Sequence, residues 1–577
     1  MNEKPKSIWK KSWAGWRGFL LWFILFFVVF LFGLAVVSTN LPFTWFFAMG
    51  FALAGVFLIA FIRRLCCWRN FKRFLFDLAC FATLIALFYA EENWRGKHNW
   101  EKFKREWEAK GEHFDFASVV PPAVPDDQNF AMAPIWIESM EADYGSNVTW
   151  QWYGKKLTTQ EQAKLVNRLH MSVAENDSSG PTNSRGGNWQ KAALTDLTPW
   201  QNYYRKLATK TNLFPIAPQL QSPAQDVLLA LGRYDSPIEE LRQASRLPYS
   251  RFPLYSNADH PFDTLLPHLS ALKTGAPVLG LRAGAELQND QSDQALADVK
   301  LSLRLADAIR TEPFLISHLV RTAILQITLQ PIYEGLAEHK WSEAQLAELD
   351  SELVKLDFLA DFKLAMRGEM GCRDGAIDYL RRNRREVFSM MDQNNDTPVF
   401  ISSLIPSGWF YQNQLRCDRM TVEFYLPLAD ERRGTISPTL TRRADAATEA
   451  ARLHRNPYNI LASMLFPAFG GAVKKFAYAQ SSVDLARVAI ALERYRQAHG
   501  EYPGSLDVLA PQFIAKIPHD IINCQPLHYR RTDDGQFVLY SVGWNETDDG
   551  GVVVFEGKKT ERVDISQGDW VWRYPAK

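Results

Sequence analysis

Two uninterrupted apolar runs near the start of the chain constrain it most. Gly18 to Val37 is twenty residues without a charge and Leu41 to Ile62 is twenty-two more. At 1.5 Å rise per residue, each is long enough to cross a hydrocarbon core of roughly 30 Å as a helix. A secretory signal peptide is the rival reading of the first run. Its apolar stretch exceeds the usual h-region of about 7–15 residues, and no small-x-small cleavage site follows clearly. Phe74 to Ala90 is shorter, with Asp77 near its start, where a carboxylate can reach the headgroups. The expectation is a three-helix transmembrane anchor over 18–90, with spans at 18–37, 41–62 and 74–90.

Basic residues orient such an anchor. Lys4, Lys6, Lys10, Lys11 and Arg17 precede the first span, and Arg63, Arg64, Arg69, Lys72 and Arg73 lie between the second and third. Arg95, Lys97, Lys102, Lys104, Arg105 and Lys110 follow on the other side, a bias of ten to six. The positive-inside rule then places residues 1–17 in the cytoplasm and the large C-terminal part outside, in a bacterium the periplasm of the inner membrane. If the third segment only lies on the bilayer, the soluble part is cytoplasmic instead. Gly50 and Ala54 form a small-x-x-x-small pair, common in apolar runs and read as packing within the anchor.

The remainder is too long for one core, since domains average about 100–200 residues. Lys and Arg total 65 against 64 Asp and Glu, which leaves no basic excess for nucleic acid. The three cysteines beyond the anchor, Cys372, Cys417 and Cys524, have neither C-x-x-C nor Cys/His metal spacing. Residues 91–130 read as a juxtamembrane helix, with Trp100, Phe103 and Trp107 on one face resting on the bilayer or on the folded domain, followed by a Pro-rich linker. Residues 131–200 read as mixed α/β: strand-like Val148 to Tyr153, a helix opening at Thr158, and a Ser/Gly/Asn-rich loop from Asp177 to Asn188.

Residues 201–459 read as a helical domain of irregular hairpins. Leu296, Val299, Leu303 and Ala306 keep helical spacing, as do Leu346, Leu349, Leu353 and Leu356, the latter behind a Ser342-x-x-Gln345 capping box. Residues 460–577 read as α+β. Leu485, Val488, Leu492 and Tyr495 face one side of a helix ending near Gly500, a short helix spans Leu506 to Leu509, and strands 527–531 and 536–542 join through Asp533-Asp534-Gly535 as a small antiparallel sheet.

Two resemblances attach to these residues. Leu492-x-x-Tyr495, Gly500-x-Tyr502-Pro503, Pro518-x-Asp520, Tyr529 and Leu539-Tyr540-Ser541-Val542-Gly543 resemble the globular end of the type II secretion major pseudopilin. The chain departs from that family in lacking a Gly-Phe-x-x-x-Glu processing segment and in carrying the module at the far end of an anchored protein. The resemblance implies the fold and a calcium site in the loop Trp544 to Gly551. Arg95-Gly96, Trp100-Glu101, Gly111-Glu112, Pro121-Pro122 and Asn129-Phe130-Ala131 resemble a stretch in uncharacterised bacterial membrane-anchored proteins, which carries no activity with it.

Candidate sites are few. Asn545, Thr547, Asp549 and Glu556 fit alternate-oxygen calcium spacing, with a neutral first ligand and a following strand where an EF-hand needs a helix; a metal-free acidic turn is the competing reading. Asp259, His260, Asp263 and His268 gather imidazole and carboxylate, with ordinary loop hydrogen bonding as the alternative. Ser270-Ala271-Leu272-Lys273-Thr274-Gly275 contains S-x-x-K and K-T-G, but one Lys cannot serve both, and metalloprotease, α/β-hydrolase and P-loop motifs are absent. The expectation is an extracytoplasmic scaffold or binding protein with a lipid bilayer and a protein as partners; the alternative is an anchored hydrolase.

Overall fold

The computed structural model describes residues 68–137, 168–175, 187–254, 264, 266–384, 386, 404–453, 456–557 and 562–575. The expected spans 18–37 and 41–62, the strand at 148–153, the helix from 158 and most of the 177–188 loop lie outside the described residues. Contacts divide the chain into two compact units, Met1–Trp94 and Arg95–Lys577.

Helix α1 is continuous over Trp68–Glu108, so the third apolar segment and the charged helix after it are one element rather than two. No Pro interrupts this stretch, and its Gly96 approaches the backbone of Gly408 too closely for any side chain. Among the described residues, the stretch from Phe71 is the one helix long and apolar enough to cross a membrane. In the first unit Leu75, Phe76, Leu78, Phe81, Leu84, Ile85, Leu87 and Phe88 are 42% to 69% exposed, a collar of large apolar side chains suited to lipid.

In the second unit the aromatic stripe turns inward: Trp100 and Phe103 are buried against Phe114, with ring centroids 5.4 and 5.9 Å away. The Pro-rich linker is tied down at both ends. Arg251 Nε donates to the Pro121 carbonyl, and the Asn129 side chain both accepts from and donates to the Arg251 backbone.

The second unit is mainly helical. Its helices are α2 (Thr198–Ala208), α3 (Pro223–Leu231), α4 (Asp235–Ala244), α5 (His268–Gln288), α6 (Ser292–Asp307), α7 (Leu315–Ala337), α8 (Glu343–Leu353), α9 (Phe358–Arg382), α10 (Ser407–Met420), α11 (Pro438–Leu453), α12 (Ile460–Leu465) and α13 (Gly470–His499). The capping boxes Ser222/Gln225 and Ser342/Gln345 start α3 and α8, each satisfying two backbone donors. Leu296, Val299, Leu303, Ala306, Leu346, Leu349 and Leu353 are all buried, as their spacing predicts. The Ser270–Gly275 run lies inside α5, a helix rather than a catalytic strand or loop. A π-helical stretch, Thr421–Tyr425, continues α10.

Helices α5, α6 and α7 pack on one another, and α7 in turn packs on α13. The latter ends where expected, at Gly500, whose φ of 85° a residue with a Cβ rarely adopts. It is buried on more than the predicted face: Ala477, Ala479, Ser481, Ser482, Ala486, Ala489 and Ala491 are also buried. Small residues there let α7, α8 and α9 approach, so one hydrophobic core runs without a break from the helices to the sheet.

The strands are short. β1 (Ala429–Asp430) pairs with β2 (Thr435–Ile436), and β5 (Val553–Phe555) pairs with β6 (Val563–Gly568). β3 (His528–Arg531), β4 (Phe537–Ser541) and β7 (Trp570–Arg573) form an antiparallel sheet with β4 central, in the register His528 opposite Tyr540 and Ser541 opposite Trp570. The Gly535 turn joins β3 to β4 with φ 78°. Asp520 braces the sheet by accepting from Ser541 Oγ and the Val542 backbone at 2.9 Å.

Candidate functional site

Of the imidazole–carboxylate group, Asp259, His260 and Asp263 lie outside the described residues, whereas His268 opens α5. It is 1% exposed, with Nε2 2.8 Å from Glu312 Oε1 and its ring stacked on Phe252 at 4.1 Å. Glu312 also accepts from Ser317 Oγ, and its carbonyl lies 2.8 Å from His318 Nε2. One turn further along α7, Arg321 donates to Asp361 of α9. All six side chains are buried. Burial, reinforced by the Arg321 charge, pushes the His318 imidazole down to about 3, so it is neutral at pH 7. Burial brings the Arg321 guanidinium down to about 10, which still leaves it charged. Such a network pins α5, α7 and α9 together, and no reactant reaches it from solvent.

In the loop after β4, Asn545 Nδ2 donates to Asp549 Oδ2 at 2.8 Å, and Asn545 Oδ1 accepts from the Thr547 backbone at 3.2 Å. Asp569 closes the turn from beneath, accepting from the backbones of Asp549 and Gly551. Asp548 accepts from Gly550 N and Tyr540 Oη. Glu556 lies beyond β5, where its carboxylate is 3.7 Å from Arg562. The structure thus brings Asn545, Thr547 and Asp549 together but does not add Glu556. Among the described residues no group of three or more His, Cys, Asp or Glu could hold a metal ion.

One concave site uses residues that the sequence motifs do not mark. A cleft of about 360 Å³ opens between the turn Trp189–Lys191 and helices α5 and α7. Asn188 caps that turn, its Oδ1 accepting from Gln190 N at 3.0 Å. Trp189 runs nearly parallel to Tyr478, at 10°, and rests on Trp572 with centroids 5.2 Å apart.

Along α7, Gln326, Gln330 and Glu334 recur every fourth residue and form a polar ladder along one side of the helix. Gln330 accepts from Trp189 N at 2.6 Å and donates to the Ala193 carbonyl and to Glu334. Glu334 also accepts from both the Thr195 backbone and hydroxyl; burial pushes its carboxyl up. Gln326 donates to Ser482, and Gln190 donates to Tyr478. This stripe, Gln-x-x-x-Gln-x-x-x-Glu, is the one signal that sequence inspection could have used.

The lining of the cleft contains indoles, side-chain amides and aliphatic carbons, and none of its lining residues is ionisable. The Thr195 hydroxyl, its nearest approach to a nucleophile, is spent on Glu334. Such a surface can recognise a ligand by apolar contact and hydrogen bonds; among the described residues that line it there is no general acid or base. The chain matches no family model, no curated protein and no solved structure.

Proposed function

We propose that the protein is a membrane-anchored extracytoplasmic binding or scaffold component, with a pseudopilin-like C-terminal module, that holds a segment of a partner protein in the indole–amide cleft. The carrying observation is the composition of that cleft. Its amides are held by the Trp189 backbone, Glu334 and Ser482, so recognition needs little ordering of the site. Side-chain amides suit the donors and acceptors of a peptide backbone, and Trp189, Trp200, Leu281 and Ile327 offer an apolar floor for its side chains. The basic bias of ten to six supports the extracytoplasmic orientation, and the apolar collar on α1 supports the anchor. The hydrolase reading draws no support from His268, which is sealed.

A photo-crosslinking amino acid placed at Gln326, with a control at exposed Val508, tests this in intact membranes. The expected result is a discrete crosslinked partner from position 326 that is absent from position 508 and is lost when Gln330 is replaced by Ala. Identical products from both positions, or none from position 326, overturn the reading.

A further inference from the structure

A second concave site lies on the opposite side of α5. An open cleft of about 420 Å³ is bordered by Arg282 and Glu286 of α5, by Asp235 at the start of α4, and by the side-chain amides of Gln225, Gln291 and Gln294. Glu286 is only 4% exposed, yet it lines this cleft and its Oε2 has no hydrogen-bond partner. Buried carboxylate oxygens are ordinarily satisfied, so an orphan just behind the wall of a cleft, which a small side-chain rotation would bring to its surface, calls for an occupant.

The surrounding cations are already committed. Arg282 Nε donates to Asp298 Oδ2 at 3.0 Å and Nη1 to Asp235 Oδ1 at 2.5 Å, while Nη2 comes no nearer to Glu286 than 3.8 Å. Arg242 of α4 donates to the other oxygen of Asp298, which is fully buried on α6. Two guanidiniums thus face the carboxylates of Asp235, Glu286 and Asp298, with exposed Glu239 also 3.7 Å from Arg242 Nη1, so carboxylates outnumber cations in the cluster. We infer that this cleft binds a small organic ammonium ion, whose N–H groups donate to Glu286 Oε2 and to the amide oxygens at the rim. Binding there is independent of the indole–amide cleft, with which it shares no lining residue.

Without a ligand, the missing positive charge is supplied by a proton. Burial, with the Asp298 charge added and the Arg282 and Arg242 charges opposing, pushes the Glu286 carboxyl up to about 8. The carboxyl is therefore held largely protonated at neutral pH, and an arriving ammonium must displace that proton. Metal ions are poorer occupants, because Asp235 and Asp298 are already held by Arg282 and Arg242, and among the described residues no group of three or more His, Cys, Asp or Glu could hold one.

The test is titration calorimetry of the detergent-solubilised full chain with propylammonium chloride, run in two buffers of different ionisation enthalpy. Tetramethylammonium, which has no N–H, serves as control at equal ionic strength. The expected result is saturable propylammonium binding, net proton release on binding at pH 7, and affinity that rises as the pH is raised from 6. Glu286→Gln should abolish binding and proton release without unfolding the protein, because the amide mimics the protonated acid. Asp235→Asn frees Arg282 to turn toward Glu286 and should weaken propylammonium severalfold. No binding up to 10 mM propylammonium, equal binding of tetramethylammonium, or binding that survives in Glu286→Gln overturns the assignment.

Discussion

Replacing Glu493 with Gln measures what one buried carboxylate contributes where α7, α8 and α13 meet. Glu493 is fully buried and accepts from Arg496 Nε at 2.8 Å, Arg496 Nη2 at 2.7 Å and Tyr502 Oη at 3.1 Å; His339 Nδ1 lies 3.1 Å from both of its oxygens. Burial pushes this carboxyl up, but the hydrogen bonds from Arg496 and His339 and their charges outweigh it and bring it from 4.5 down to about 2. At 1.36 kcal/mol per pH unit, the fall amounts to about 3 kcal/mol of folding stability. A depressed carboxyl contributes its full share above pH 4.5 and loses it as the pH falls through 2. Gln keeps the shape and removes the anion, leaving Arg496 without its counter-charge. Urea unfolding of the solubilised protein, followed by Trp emission at pH 7, 4 and 2.5, should give a deficit of about 3 kcal/mol at pH 7 that shrinks steadily toward pH 2.5. A deficit below about 1 kcal/mol at pH 7, or one that does not change with pH, refutes the electrostatic account.

Three further outcomes are expected. A methyl added at Gly335 collides with the Trp341 indole, so Gly335→Ala should cost about 1–3 kcal/mol, whereas Gly471→Ala, with open space around it, should raise the thermal midpoint slightly; equal midpoints for the two variants would contradict the packing. Ser342→Ala removes the capping hydroxyl of α8 and should lower stability by about 1 kcal/mol in chemical denaturation, with no change in ligand binding. In 13C-histidine spectra the His318 ring should stay neutral from pH 8 to 5; because its pKa is brought from 6.5 down to about 3, its contribution to stability is present above pH 6.5 and is lost as the pH falls toward 3, and a ring signal titrating near 6.5 would rule this out.

What the sequence disclosed was local. The Ser342-x-x-Gln345 box, the Gly500 stop and the Asp533-Asp534-Gly535 hairpin each complete their own hydrogen bonds or dihedral requirement within a few residues, so their spelling is their structure. The long α1 was read as two pieces because its apolar and charged halves differ in composition, although nothing breaks the backbone between them. Both clefts were invisible because their parts are distant: Trp189 meets Gln330 and Trp572, and Glu286 meets Asp298, Arg242 and Asp235 across three helices. The breadth of burial on α13 was hidden because Ala and Ser do not register as core residues, even though their smallness is what admits the neighbours. His268 was conspicuous because imidazole is rare, and rarity does not distinguish a reactant from a buried brace.

The last strand has a consequence for biogenesis. Trp572 of β7 closes over Trp189 and Tyr333, and the Tyr333 hydroxyl is capped by the Arg573 carbonyl. Trp189 therefore waits for a partner made nearly four hundred codons later and Tyr333 for one made 240 residues later, and until then an indole and a phenol that belong in the interior stand exposed. A ribosome stalled before residue 570 would release a chain whose core is open on one side, a natural substrate for holding chaperones and quality-control proteases.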